Sequence, residues 1–155
     1  MAEVWFYHLQ QQPLESVLPA LCEKSLERGW RVVIQARSGE RLEALDQLLW
    51  TYADDSFLAH GLARDGDGAL QPIYLTLGNE NPNSARLRLF VEAADVAACL
   101  ASPEAAAYER LILLFDGRDE DQLAAARSQW KLLKEQGYSL AYWQQADTGR
   151  WDRKL

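Results

Sequence analysis

Two hydrophobic periods alternate along this chain, and the alternation narrows the folds open to it. Val4-Trp5-Phe6-Tyr7 is a β-branched and aromatic run of the kind that forms a buried strand. Leu14, Val17, Leu18, Leu21, Cys22, Ser25 and Leu26 then recur at helical spacing. Glu15, Glu23, Lys24, Glu27 and Arg28 lie opposite them, and Gly29 is placed to end the helix. Arg31–Ala36 is a second short strand. Ser38 can cap a second helix that carries Leu42, Leu45, Leu48, Leu49 and Tyr52 on one face. Strand, helix, strand, helix with short joints predicts parallel strands linked by right-handed crossovers, an α/β sheet covered on both faces.

The middle is less regular. Phe57–His60, Ile73–Leu77 and Arg86–Val91 are short strand candidates. Asp65-Gly66-Asp67-Gly68 suits a solvated hairpin turn, and Gly78–Asn83 is also turn chemistry. Ala93–Ala101 is a short helix, and Tyr108–Phe115 returns as a buried strand closed by Asp116 and Gly117. Asp119 and Glu120 set negative charge at the positive end of a helix that runs to Gln136. Its stripe is Leu123, Ala126, Trp130 and Leu133, and Gly137 ends it. The pattern predicts one α/β domain over residues 1–143, with a mostly parallel twisted sheet in Rossmann-like topology. Residues 144–155 are expected to be a polar tail, partly disordered and fraying.

At 155 residues and 48% hydrophobic content the chain can bury one ordinary core. Cys22 and Cys99 stand alone in apolar patterns, at neither disulfide-framework nor zinc-ligand spacing. The opening Met1-Ala2-Glu3 lacks the basic start of a signal peptide, and no apolar run is long enough to cross a bilayer. A cytoplasmic protein without a membrane partner is the expectation. The net charge of −7 argues against direct DNA binding through many phosphates.

A doubly wound sheet invites a nucleotide at the carboxyl ends of its strands. The first such turn, His8-Leu9-Gln10-Gln11-Gln12-Pro13, holds no glycine, and no phosphate-loop motif occurs. His8 and His60 have no second His or Cys at ligand spacing, so no metal site is expected. A hydrolase built on Ser56 and His60 would lack the nucleophile elbow. No catalytic residue and no cofactor are assigned; a nucleotide-binding or small-molecule enzyme on this sheet is the competing class, which a nucleotide thermal-shift screen discriminates.

Two features have the chemistry of binding. Trp50 does not share the apolar face of its helix, and with nearby Phe57 it forms an exposed aromatic anchor, unless the irregular middle folds back over it. On the last long helix Arg127, Lys131 and Lys134 form a basic stripe beside Trp130, and Arg118 lies near the helix start. That stripe is either a solvated charged face with Trp130 in the core, or a groove for an acidic peptide that ends in a hydrophobic residue.

These segments resemble the chi subunit of bacterial DNA polymerase III along nearly the whole chain. The resemblance rests on Phe6-Tyr7-x-Leu9, Leu45-Asp46-x-Leu48-Leu49-Trp50 and Ser56-Phe57-Leu58-x-His60-x-Leu62. It ends on Arg127-x-x-Trp130-Lys131-x-x-Lys134-x-x-Gly137-Tyr138-x-Leu140. Ala59 stands where the family has proline, and Lys134 replaces a common Arg, losing its bidentate geometry. The resemblance implies a non-catalytic adaptor with two partners. Trp50, Phe57, Leu58 and His60 would face the psi subunit of the clamp loader. Arg118, Arg127, Trp130, Lys131, Lys134, Gly137 and Tyr138 would hold the acidic, Phe-terminated tail of the single-stranded-DNA-binding protein.

Overall fold

The structure, a computed structural model, describes residues 2–10, 12–51, 58–148 and 150–155. The chain runs β1 (Glu3–Leu9), α1 (Leu14–Glu27), β2 (Val32–Gln35), α2 (Gly39–Thr51), β3 (His60–Leu62) and β4 (Ile73–Thr76). It continues through β5 (Leu87–Phe90), α3 (Val96–Leu100), β6 (Arg110–Asp116), α4 (Glu120–Glu135), β7 (Ser139–Gln145) and β8 (Trp151–Arg153). One eight-stranded sheet has the order β3-β4-β2-β5-β6-β1-β7-β8. Every pairing is parallel except β7 with β8, so the expected mostly parallel α/β architecture is the one found.

Alternation along the strands divides the core between the two faces. Val4 and Phe6 of β1 join Leu111, Leu113 and Phe115 of β6 under α3 and α4, whose Val96, Cys99, Ala126 and Leu133 complete that cluster. Tyr7 and Leu9 of β1, with Ile112 and Leu114 of β6, point the other way and meet Val17, Leu18 and Cys22 of α1 and Leu45 and Leu49 of α2. Period two in the strands and period 3.6 in the helices therefore meet on both sides.

Arg88, in the middle of β5, is fully buried. Its guanidinium donates to Gln35 Oε1, to the carbonyls of Gly78 and Glu80 and to the Tyr108 hydroxyl. A buried cation is tolerated when its donors are met in this way. Burial pushes the Tyr108 phenol up to about 12, with the Arg88 charge pulling against it.

Two sequence expectations are corrected here. Asp65-Gly66-Asp67-Gly68 is not a hairpin turn, because β3 and β4 are parallel. The return between them is made by two 3-10 turns, Ala63–Asp65 and Gly68–Leu70, and Asp65 Oδ2 accepts from the Leu62 amide to hold the first. The segment after Trp143 is not a fraying tail. Trp151–Arg153 pairs antiparallel with β7, Trp151 stacks on Tyr7 at 4.6 Å, and Lys154 N–H donates to Tyr142 O. Gln145, polar yet fully buried, is satisfied by reciprocal bonds with Gln12 of 2.8 and 3.0 Å. The polar composition of the segment thus hides a satisfied pair. Among the described residues no helix is long and apolar enough to cross a membrane.

Candidate functional site

Asp119 starts α4 by accepting from the amides of Asp121 and Gln122, and Gly137, at φ +85°, terminates it in the left-handed region that glycine enters without penalty. Between these ends the helix lays Ala126 and Leu133 into the core. Trp130 is half-buried, edge-on to Phe6 at 5.1 Å and to Tyr142 at 5.8 Å. The indole thereby becomes one wall of a cavity of about 250 Å³ lined by Phe115, Leu123, Ala126, Arg127, Tyr142 and Leu155. Arg127 is the one charged residue of this lining and is itself exposed. Lys131 and Lys134 are exposed one and two turns further along the same helix.

Beneath Arg127, His8 Nδ1 lies 2.7 Å from the Tyr142 hydroxyl. Burial pushes the His8 imidazole below its ordinary value, Arg127 adds to that, and Asp116 opposes it. Burial raises the Tyr142 phenol against the pull of the same guanidinium. Arg127 thus projects its charge both into the cavity and over these two groups. A carboxylate arriving at the lip would be met by that cation, and an apolar side chain would fit against Trp130, Tyr142 and Phe115.

Not every residue assigned by sequence joins this cavity. Arg118 lies at the carboxyl edge of the sheet, where its Nε is 3.3 Å from Asp116 Oδ1, and lines a different crevice with Arg41 and Glu92. Gly137 is exposed at the far end of α4, and half-buried Tyr138 packs against the core. His8, Phe115, Leu123, Tyr142 and Leu155 were not assigned from sequence. Leu123, Ala126 and Trp130 repeat at three and four, which signals the shared face. Leu155 lies in the 144–155 segment whose polar composition predicts a tail, and Tyr142 just before it.

At the second patch Trp50 is 51% exposed on the last turn of α2. Its ring meets the His60 imidazole edge-on at 5.1 Å. His60 Nε2 is 2.8 Å from Asp46 Oδ1 and Nδ1 is 2.8 Å from the Leu58 carbonyl. The His60 side chain is 1% exposed, and Leu58 is buried. His60 therefore braces Trp50, and neither the imidazole nor Leu58 offers surface. Phe57 and Ser56 lie outside the described residues.

The crevice at the carboxyl ends of the strands is occupied by the chain's own carboxylates. Glu92 Oε1 accepts from the amides of Arg37 and Ser38 at 2.9 Å each, and Glu92 Oε2 accepts from the Ser38 hydroxyl at 2.8 Å. Those amides open α2, where a bound phosphate would sit in a nucleotide-binding sheet. Among the described residues no group of His, Cys, Asp or Glu is arranged to hold a metal ion.

Comparison with known proteins gives a consistent result. Residues 1–141 match the family described as DNA polymerase III chi subunit, HolC. A protein of Rickettsia prowazekii (strain Madrid E), named as a probable DNA polymerase III subunit chi, is 30% identical over 117 residues. That alignment covers 75% of this chain and 71% of the relative.

Proposed function

The chain belongs to the DNA polymerase III chi subunit family, and from that premise we propose that it is a non-catalytic adaptor of the replicative polymerase. One surface holds the psi subunit of the clamp loader; the other holds the acidic C-terminal tail of single-stranded-DNA-binding protein. The observation that carries the second assignment is the cavity beside Trp130 with Arg127 at its lip. Its apolar walls suit a terminal Phe ring, and Arg127, Lys131 and Lys134 supply cations for the preceding carboxylates. The first assignment rests on Trp50, a large exposed indole braced by His60 on a protein whose other large aromatic side chains are, among the described residues, buried or half-buried. An isolated exposed indole of this kind is a common anchor in protein interfaces.

The mechanism is electrostatic and multivalent. A single contact of this size is weak and weakens with salt. A strand coated with many tails raises their effective concentration, so retention comes from number instead of from a tight individual site. Titration calorimetry with an acidic, Phe-terminated peptide tests the assignment. Arg127→Ala is expected to weaken binding at least several-fold, because charge-assisted bonds contribute about 1.5–3 kcal/mol each. An unchanged affinity removes the tail site from this groove. Trp50→Ala should weaken psi binding and leave the peptide affinity intact.

A further inference from the structure

We infer that the amino edge of the sheet carries a further binding site, built from Arg28, Arg86 and Arg110, for a phosphate group. Parallel strands begin at one edge, so residues far apart in sequence converge there. Arg28 ends α1, Arg86 precedes β5 and Arg110 opens β6. With Trp30 they line an open basin of about 710 Å³, away from the Trp130 cavity.

The Arg28 and Arg110 guanidiniums are stacked on indole rings, while the Arg86 side chain is exposed. Arg110 lies 3.8 Å over the Trp5 ring and 5.9 Å from Trp30, while Arg28 lies 4.8 Å over Trp30. Two cations therefore share one indole. The three salt bridges among the described residues are Asp46–His60, Glu43–Arg64 and Asp116–Arg118, so none neutralises these arginines. Glu3, whose carboxylate accepts from Trp5 Nε1, and Glu109 also line the basin, so the three arginines exceed its carboxylates by one charge. The Nε of Arg110, beside the Trp5 ring, is buried without an acceptor.

Stacking on an indole uses the face of a guanidinium and leaves its in-plane N–H groups for hydrogen bonding, the groups that pair with phosphate oxygens. Three guanidiniums against two carboxylates, with no ion pair between them among the described residues, leave an excess of positive charge that an anion would neutralise. The basin has room for a phosphate together with the group that bears it. The overall charge of −7 disfavours a long phosphate track, and a three-arginine basin does not need one.

The site is tested at low salt with two probes, inorganic pyrophosphate followed by thermal shift and a short labelled oligothymidylate followed by anisotropy. Wild-type protein is expected to be stabilised by pyrophosphate. The double variant Arg28→Ala, Arg86→Ala, which alters two exposed side chains, should lose about tenfold in affinity while melting like wild type without ligand. Arg127→Ala should bind both probes normally. Tighter binding of the oligothymidylate, competed by pyrophosphate, identifies a nucleic-acid backbone as the source; equal binding identifies a free phosphate or nucleotide. Absence of binding by either probe, or equal binding by the double variant, overturns the inference.

Discussion

Single side chains at the carboxyl edge decide how tightly the groove is built. Gly117 is glycine because a Cβ there would overlap His8 Nε2. Gly117→Ala should therefore cost about 1–3 kcal/mol in denaturant unfolding, the usual range for overpacking, and displace His8 from Tyr142. Glu92 satisfies two amides and a hydroxyl at the start of α2. Burial raises its carboxyl, but the bonds from Ser38 and the Arg37 and Ser38 amides, with the Arg41 charge, outweigh that and hold it below its ordinary value. Glu92→Ala should destabilise the fold by about 1–2 kcal/mol, as the loss of a helix cap does. His8 gives a prediction in pH. Its folded value lies below the ordinary 6.5. The unfolded chain then binds the proton first, so the stability His8 contributes is complete above about 6.5 and is lost as pH falls toward the depressed folded value. His8→Asn should flatten the stability curve across that window; an unchanged curve would show that His8 does not titrate there.

Among the elements, α4 was the most legible in sequence. Leu123, Ala126, Trp130 and Leu133 at three- and four-residue spacing, an acidic start and a closing glycine leave one helix to draw, and Glu120–Glu135 is that helix. What Trp130 does there was not legible, because its ring borders a hollow completed by Phe115 from β6 and Tyr142 from β7. Those neighbours are fixed by sheet order, which spacing along the chain does not encode. Residues 144–155 differ from the expected tail for a related reason. Gln144 and Gln145 look like surface, yet the partner that satisfies Gln145 is Gln12, 133 positions earlier. Trp151 seals the strand pair against Tyr7. Trp151→Ala should lower stability by at least about 1 kcal/mol, the range of an aromatic pair beyond its buried area, and far-UV spectra should keep the helical signal. A fraying tail would show no change in stability.

Across the whole molecule the topology keeps the two proposed partner surfaces apart. Trp50 sits on α2, beside the β3 edge, and the Trp130 groove sits on α4, on the opposite face beside β1 and β7. A bridge between two partners requires this separation, since neither then excludes the other. The short Phe57–His60 motif and the α4 stripe marked these two places in the sequence, but not which side chains face outward; Leu58 and His60 turn inward because Asp46 and the Leu58 carbonyl hold the imidazole. The most direct measurement uses single-stranded DNA immobilised on a surface and coated with its binding protein, over which psi is passed with and without this chain. The account predicts that psi is retained only when the chain is present, and that retention falls with rising salt and disappears when the binding protein lacks its last residues. Retention of psi without the chain, or retention of the chain on the tail-deleted protein, would contradict it.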